Sequence, residues 1–379
     1  MTRFAAITTQ NTNPLIAALG SDCDILDPGL RVSGVAHDDL ALIAARNAKR
    51  RQIRYPQIFG NPIVERVYKN NYARKLKRQY AALHRQLSAD TTRTVIIFNG
   101  FLAPNAVADV AARDLGMRRL YVENGYFPGT LQADPQGING LSSLPRSPDF
   151  YDGLAAEELG DDWPDTFEIR TSKLRDDGGR TALPKSFVFV PFQVPSDMQI
   201  LALSPWIRDM EHLFAQIRAL ALSHKDQHFV IKEHPSFPRS IQRKVDRPPN
   251  VHFANHAVTR DLLEACDAVI TVNSTVGLEA LVLGKKVITL GEAHYAIDGL
   301  VLRAEDEQAL TEAFSRLAQW KAHKQRREKF IRFVHNRFLI PGDRRQPTAG
   351  TISALQGRAT GIDAYSKILG GFLHAASPH

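Results

Sequence analysis

Short apolar runs without polar alternation recur along the chain, and longer stretches with helical spacing separate them. A run of this kind fits a strand that is buried on both faces, so the pattern favours a parallel sheet covered by helices. We therefore predict an α/β fold. The predicted strands are Thr94–Phe98, Leu120–Val122, Phe187–Val190, Phe229–Ile231, Ala268–Val272 and Val287–Leu290.

Length and apolar content indicate two packed domains. At 379 residues the chain is long for one domain, and a hydrophobic content of 44% fills two cores without disulfide bonds. The polar stretch from Phe167 to Ser186 bears Gly and Pro, precedes a predicted strand and is the best linker candidate. We therefore expect a first domain over residues 1–184 and a second over residues 185–345. A helical tail over residues 346–379 is expected to pack back on the first domain.

Several kinds of signal are missing from the sequence. Cys23 and Cys266 lie far apart without metal-type spacing, which suits a reducing compartment. The amino-terminal residues lack the apolar core of a signal peptide, and no run of about 18 apolar residues occurs. There is no G-x-G-x-x-G fingerprint and no phosphate loop ending in G-K-[ST], which argues against a dinucleotide dehydrogenase and a P-loop ATPase. We expect a cytoplasmic protein that spans no membrane, binds no metal and carries no cofactor.

A net charge of +8 favours an anionic partner. The excess lies in two predicted helical segments, Ala45–Tyr80 and Trp320–Phe338. These are either solvated helix faces or surfaces for anionic lipid head groups or an acidic glycan. A peripheral contact with the inner face of the cytoplasmic membrane stays open. No nucleic-acid-binding motif occurs, so we expect no nucleic acid partner.

The segment after the strand Ala268–Val272 is the best candidate for a phosphate site. Asn273, Ser274 and Thr275 turn the chain into a predicted helix, and the free N–H groups at a helix start can hold a phosphate together with two hydroxyls. The alternative is that Ser274 or Thr275 merely caps the helix and that Glu279 is an ordinary helical residue facing solvent.

Two other predicted strands end in groups that can carry chemistry. Lys232, Glu233, His234 and Pro235 form the end of one of them, where ligands of an open parallel sheet gather. Asp197 follows the strand Phe187–Val190 and could be a nucleophile or base in an interdomain cleft. The alternative is that Ser196 or Asp197 only caps the next helix. A lone histidine such as His234 is often structural, and its charged neighbours favour binding.

Glu123 stands directly behind the strand Leu120–Val122, at the edge of residues 122–153, which we interpret as a loop from their Gly, Pro, Asn and Ser content. A carboxylate here and Asp197 in the second domain could meet across a cleft, and paired carboxylates serve sugar transfer at an anomeric carbon. The alternative is a structural acid that accepts N–H groups of its own loop.

Five motifs between about Val95 and Leu290 resemble, in the same order, those of the bacterial capsule polysaccharide biosynthesis proteins. This family includes the retaining β-Kdo glycosyltransferases. The combination is much more specific than any single motif. The motifs are Glu123–Tyr126, Gly137–Arg146, Gln193–Asp197, Lys232–Pro235 and Asn273–Glu279.

The resemblance implies a GT-B-like architecture, with two Rossmann-like domains facing a central cleft, and transfer of the acidic keto sugar Kdo from CMP-β-Kdo with retention. It implies that Asp197 is the nucleophile and Glu123 the acid/base. No metal is needed in this scheme, because a helix dipole and cations can neutralise the departing CMP. The implied donor contacts are Gln193, Lys232, Glu233, His234, Pro235, Asn273, Ser274, Thr275 and Glu279. The implied acceptor-side residues are Asn124, Gly125, Tyr126, Asn139, Ser142, Ser143 and Arg146.

One departure from the family pattern bears on the acceptor. Members that start a capsule on a glycerophospholipid tend to have Arg-Pro after the Gly-Tyr pair, whereas this chain continues Phe127-Pro128-Gly129. We therefore expect a carbohydrate acceptor, such as the end of an O-antigen or capsule glycan. The alternatives are a glycerophospholipid or glycolipid anchor as acceptor, another nucleotide sugar as donor, and a non-catalytic basic scaffold of a capsule assembly complex.

Overall fold

The structure is a computed structural model that describes residues 2–10, 12–164 and 183–376. The linker predicted at Phe167–Ser186 lies, up to residue 182, outside the described residues. The chain forms two compact units. The first unit comprises Met1–Leu144, Ala155–Asp162 and Arg332–His379, and the second comprises Pro145–Leu154 and Trp163–Ile331.

The elements alternate along the chain as the sequence pattern predicts. The strands are β1 (Phe4–Ala6), β2 (Cys23–Ile25), β3 (Thr94–Phe98), β4 (Arg119–Asn124), β5 (Thr130–Asp134), β6 (Val188–Pro191), β7 (Phe229–Lys232), β8 (Val251–Phe253), β9 (Ala268–Thr271), β10 (Lys286–Thr289), β11 (Leu302–Arg303) and β12 (Ile340–Pro341). The α-helices are α1 (Asn13–Leu19), α2 (Asp39–Arg54), α3 (Pro56–Phe59), α4 (Pro62–Ser88), α5 (Asn105–Asp114), α6 (Pro148–Gly153), α7 (Ala156–Leu159), α8 (Met198–Leu203), α9 (Met210–Ser223), α10 (Thr259–Ala265), α11 (Thr275–Val282), α12 (Glu307–Leu317), α13 (Lys324–Phe333), α14 (Ala349–Thr360) and α15 (Ala364–Ala376). Short 3₁₀ helices span Gly20–Asp22 and Asn139–Leu141, and a π-helical turn spans Val334–Phe338.

Each unit is built on one six-stranded sheet. In the first unit the order is β12-β5-β4-β3-β1-β2; β5 pairs antiparallel with both β4 and β12, and the other pairings are parallel. In the second unit the order is β11-β10-β9-β6-β7-β8, and every pairing is parallel. The predicted α/β class is confirmed, and the six predicted strands correspond to β3, β4, β6, β7, β9 and β10.

The core of the first unit joins both ends of the chain. Phe4, Ile96 and Val122 come from three strands of the sheet and are at most 4% exposed. Leu355 of α14 belongs to the same apolar cluster, and Tyr365 of α15 is buried in this unit. Burial of these side chains removes apolar surface from water and fixes the tail. The prediction that the helical tail packs back on the first domain is confirmed.

Residues 332–345 also belong to the first unit, although the sequence boundaries put them in the second domain. The physical reason is a strand pairing, since Ile340 in β12 lies opposite Leu131 in β5. A two-residue strand carries too little pattern to be predicted from the sequence alone.

The interpretation of residues 122–153 as one loop was wrong. β4 runs on to Asn124, the chain turns, and β5 returns antiparallel with Gln132 opposite Glu123. Residues 148–153 then form α6. Gly and Pro in residues 125–129 mark the turn of a hairpin here, and their presence hid the second strand.

Both basic segments are helical, as predicted. Ala45–Tyr80 covers most of α2, α3 and α4, and Trp320–Phe338 covers α13 and the π-helical turn. Among the residues that the structure describes, no helix combines the length and the apolar content needed to cross a membrane.

Candidate functional site

Glu123 is the penultimate residue of β4, at the carboxyl edge of the parallel part of the first unit's sheet. Its Oε2 accepts a hydrogen bond from Asn99 Nδ2 at 2.9 Å, and its Oε1 accepts one from the backbone N–H of Asn124 at 2.9 Å. The residue is half-buried. Two donors on two oxygens orient the carboxylate, which is what a proton-transferring group requires.

The residues around Glu123 include two that the sequence did not reveal. Asn99 follows β3 with a φ of 65°, a left-handed conformation that few residues other than Gly, Asn and Asp adopt readily. Arg344 is 7% exposed, and its Nε donates to Asn124 Oδ1 at 2.7 Å. Its guanidinium also lies 5.4 Å from the centre of the Phe98 ring. Asn99-Gly100 directly behind a buried strand was the available signal, because Asn-Gly favours positive φ.

Most of the predicted acceptor-side residues lie in the interior of the first unit. Tyr126 is buried and stacks on Phe338 with ring centres 6.1 Å apart. A Cβ atom on Gly125 would lie 2.0 Å from Thr130 Oγ1, so this position in the hairpin turn requires glycine. Asn139 donates its N–H to Gln132 Oε1 at 2.9 Å.

Asp134 holds the segment that contains Ser142 and Ser143. This fully buried carboxylate accepts from the hydroxyl of Ser143 at 2.5 Å and from the backbone N–H groups of Gln136, Gly137 and Ser143 at 2.8 to 3.1 Å. Burial raises the pKa of Asp134, while these hydrogen bonds oppose the shift. Ser142 donates its hydroxyl to the carbonyl of Asn139 at 2.8 Å. These contacts fix the loop, and an acceptor role for its residues stays a prediction.

The carboxyl edge of the second sheet collects three predicted motifs. β6 lies between β7 and β9, so the segments after Pro191, Lys232 and Thr271 leave neighbouring strands on one side of the sheet. In an all-parallel sheet this is the edge where ligands bind.

Asp197 is exposed and begins α8 as its N-cap. Its Oδ1 accepts the backbone N–H of Gln199 at 2.9 Å. Asp197 therefore does cap the helix, as the alternative prediction held. The cap bond involves only one oxygen of this accessible carboxylate. The cap also fixes the direction of the side chain, so capping and chemistry are compatible.

Gln193 and Asn273 bond mainly to each other and to the backbone. Gln193 Nε2 donates to Asn273 Oδ1 at 2.9 Å, and the N–H of Asn273 donates back to Gln193 Oε1 at 3.2 Å. Both are buried, and Asn273 Nδ2 also donates to the carbonyls of Gln199 and Leu203. The pair fastens the end of β6 to the end of β9.

Lys232 and Glu233 are buried as well. Lys232 Nζ donates to the carbonyl of Ala257 at 2.5 Å, and burial lowers the pKa of this lysine. Glu233 accepts from the N–H of Ile241 at 2.7 Å and from Asn255 Nδ2 at 2.9 Å. Removing these partners would leave a buried charge, so both residues hold the loop after β7 in place.

His234, Pro235 and the start of α11 are more accessible at this edge. His234 and Pro235 are half-buried, and His234 Nδ1 accepts the N–H of Ser236 at 3.1 Å, which orients the ring. Ser274 caps α11 by accepting the N–H of Val276 at 3.2 Å, and Thr275 follows as a half-buried residue. A helix start with hydroxyls can hold an anionic group, and the oriented imidazole follows β7 at the same edge of the sheet.

Tyr295, beyond β10, supports this helix start and was missed by the sequence analysis. Its hydroxyl donates to the carbonyl of Ser274, and a Cβ on Gly277 would lie 2.2 Å from that hydroxyl. Burial, and then the charge of half-buried Glu279, raise the pKa of Tyr295 well above its ordinary value. The neighbouring His294 is buried, and its pKa is lowered by burial and then by the charge of Arg146.

Within the described parts of the chain, no group of three or more His, Cys, Asp and Glu could hold a metal ion. The expectation that the activity needs no metal stays a prediction.

Comparison with known proteins supplies the family. The profile described as "Capsule polysaccharide biosynthesis protein" matches residues 167–329. Protein FixF of Sinorhizobium fredii (strain NBRC 101917 / NGR234) is 38% identical over 333 residues, which cover 85% of this chain and 80% of that protein. The chain belongs to the capsule polysaccharide biosynthesis family. The family predicted from the motifs is thereby confirmed.

Two further similarities are more distant. Capsule polysaccharide export protein KpsS of Escherichia coli is 24% identical over 294 residues, covering 60% of this chain and 73% of that protein. Among solved structures, the beta Kdo 2,7 transferase of Thermosulfurimonas dismutans KpsC aligns with a TM-score of 0.49 and 16% identity, covering 81% of this chain and 84% of that chain.

Proposed function

We propose that this protein is a retaining glycosyltransferase that transfers β-Kdo from CMP-β-Kdo to a carbohydrate acceptor. Membership of the capsule polysaccharide biosynthesis family supports the proposal. The observation that carries it is Asp197, an exposed carboxylate held by its own helix cap just beyond the central strand β6. His234 and Ser274 follow the two strands on either side of β6.

In the proposed reaction the Asp197 carboxylate attacks the anomeric carbon of Kdo, and the bond from that carbon to the phosphate oxygen breaks with its electron pair leaving on CMP. The acceptor hydroxyl then gives its proton to Glu123 as its oxygen attacks the same carbon, and the bond to Asp197 breaks. Glu123 passes the proton to solvent. Two inversions at one carbon give net retention.

The donor contacts in this proposal divide into two groups. Thr275, Ser274 and His234 are half-buried, so these side chains bind the CMP phosphate and the sugar carboxylate, with Pro235 fixing the turn and Glu279 on the ribose. The other residues act as positioning residues, because their polar groups already bond inside the second unit. These are Gln193, Lys232, Glu233 and Asn273.

A matched pair of substitutions separates the nucleophile from the cap. Asp197→Asn keeps an oxygen for the Gln199 N–H and preserves the cap, whereas Asp197→Ala removes it and destabilises the protein by about 1 kcal/mol. We expect Asp197→Asn to unfold like the wild type and to lose on the order of a thousandfold or more in kcat. CMP release and unfolding midpoints measure the two effects. If the Asn variant keeps wild-type kcat, Asp197 is only a cap.

The Glu123→Gln variant tests the second step. It still attacks the donor but deprotonates the acceptor poorly, so intact-protein mass spectrometry should detect a Kdo adduct, and mapping should assign it to Asp197. Product NMR should show the β anomer. An inverted anomer rules out double displacement.

Donor panels with UDP-sugars and CMP-sialic acid, and acceptor panels with glycans and glycerophospholipids, test the specificity. No CMP release with any acceptor favours the scaffold alternative.

A further inference from the structure

The helical hairpin formed by α2, α3 and α4 carries the whole net positive charge of the protein. Residues 45–80 contain eleven Lys and Arg and one Glu, a net charge of +10. The full chain has 48 basic and 40 acidic residues, so the remainder has 37 basic and 39 acidic residues and a net charge of −2. Such a concentration in one element indicates an anionic partner for that element.

The end of this hairpin exposes aliphatic side chains. Ile63 is 73% exposed, Val67 is 55% exposed and Ile58 is 51% exposed. Tyr55 and Val64 beside them are exposed as well. We call these five residues the apolar tip. An exposed cluster of this kind at one end of an element marks an interaction site more often than scattered apolar residues do.

The apolar tip is held in a defined conformation. Asn61 caps α4 by accepting the N–H of Ile63 at 2.9 Å, and Pro62 occupies the first turn. Behind the tip, the ring of Phe59 packs edge-on against Tyr68 at 5.1 Å, and the Tyr68 hydroxyl donates to Asn47 at 2.5 Å. These contacts connect α3 and α4 to α2, while the side chains of the apolar tip stay exposed.

Cations continue the outward face of α4 behind the tip. At 3.6 residues per turn, Ile63, Val67, Arg74 and Arg78 lie along one side of the helix, opposite buried Leu76. Arg74 and Arg78 are exposed, and no ion pair among the described residues involves either of them. The apolar residues and the cations thus follow each other along one face.

We propose that the apolar tip inserts into an anionic phospholipid membrane while the cations behind it contact lipid phosphates. Aliphatic side chains with Arg and Lys beside them match the boundary between acyl chains and head groups. An acidic glycan or a nucleic acid would match the cations alone, because neither offers an apolar layer to Ile58, Ile63 and Val67. This inference does not depend on the proposed reaction.

Co-sedimentation of the full chain with vesicles tests the proposal, using phosphatidylcholine alone and an equimolar mixture with phosphatidylglycerol. We expect binding to the mixture only. The variant Ile63→Gln/Val67→Gln should bind roughly tenfold more weakly, and Arg74→Gln/Arg78→Gln should lose binding by roughly tenfold or more. A tryptophan introduced as Ile63→Trp should show a blue-shifted emission when anionic vesicles are added.

Two controls match these variants. Leu222→Gln removes an apolar side chain of 50% exposure from α9, and Lys321→Gln/Lys324→Gln removes exposed charge near α13. Both should bind like the wild type, and circular dichroism should show all variants folded. Equal losses for the control and hairpin variants overturn the proposal. The proposal is also overturned if the arginine variant loses vesicle binding while Ile63→Gln/Val67→Gln binds like the wild type. That result would mean that the cations bind a polyanion and that the tip does not insert.

Discussion

The two basic segments are both helical and rich in Lys and Arg, and they differ in what their cations contact. Residues 45–80 have eleven Lys and Arg and one Glu, and residues 320–338 have seven Lys and Arg and one Glu. In the first segment the cations are mostly exposed on α2 and α4. In the second, cations of α13 and the π-helical turn bond inside their own units. Charge density alone therefore does not distinguish a binding face from a structural helix.

The contacts of the second segment explain the difference. Within the second unit, Arg326 makes two hydrogen bonds to the Asp152 carboxylate at 3.0 and 2.5 Å, and Lys329 donates to the carbonyls of Asp152 and Leu154 at 2.8 and 2.7 Å. Within the first unit, Arg337 donates to the carbonyls of Glu157 and Glu158 at 2.9 Å. These carbonyls lie in or directly after the short helices α6 and α7, so the cations stabilise the last turns of those helices.

The largest difference in stability between the two segments is expected when one isoleucine of each is replaced by alanine. Ile331 is fully buried, whereas Ile63 is 73% exposed. Ile331→Ala removes packed methyl groups and leaves a cavity, so we expect a loss of about 3 kcal/mol, while Ile63→Ala should change stability by less than about 0.5 kcal/mol. Urea unfolding followed by fluorescence measures both. Comparable effects in the two variants would contradict the assigned roles.

Replacing one arginine of each segment by alanine should give the next largest difference in stability. Arg326→Ala breaks a bidentate pair and a hydrogen bond to the Asp298 carbonyl, and we expect a loss of about 2 kcal/mol. The matched change Arg66→Ala, on the exposed side of α4, should stay within about 0.5 kcal/mol. The same unfolding assay measures both variants. An Arg326→Ala variant as stable as the wild type would show that the Arg326–Asp152 pair does not stabilise the fold.

The same contrast separates what the sequence could predict from what it could not. The buried strands were predictable because four or five consecutive apolar residues leave few alternatives, as in Thr94–Phe98. Short pairings such as β12 with β5 depend on residues about 200 positions apart and have no local pattern.

Parts of the candidate site were predictable for a related reason. Parallel strands end at one edge, so the motifs after β6, β7 and β9 could be expected to lie near each other. The hydrogen bond of Arg344 to Asn124 spans 220 residues and that of Gln193 to Asn273 spans 80, and no spacing rule reveals such partners. The sequence also did not reveal that the side chains of Lys232 and Glu233 are buried. Their burial is the reason for assigning them a structural role.

Replacing arginine by lysine should sharpen the comparison further. Arg337 uses its planar fork to donate to two successive carbonyls, and the single ammonium group of lysine cannot reproduce that geometry. We expect Arg337→Lys to lose about 1 kcal/mol. Arg78→Lys, which keeps the charge on an exposed face of α4, should be neutral. Thermal midpoints of the two variants compare them, and equal midpoints would mean that only charge matters at position 337.

The smallest expected effect is a dependence on pH. The hydrogen bond from Arg326, aided by its charge, holds the pKa of Asp152 below the ordinary value of 3.8. A carboxyl whose pKa is lower in the folded than in the unfolded chain contributes stability above its unfolded pKa and loses it as the pH falls through the folded value. Between about pH 5 and pH 3, the wild type should therefore lose more stability than Asp152→Asn. Asp246, which is 92% exposed, supplies the control, and Asp246→Asn should follow the wild-type pH profile. If Asp152→Asn and Asp246→Asn give the same profile, the Arg326–Asp152 pair does not distinguish α13 from the exposed cations of the hairpin.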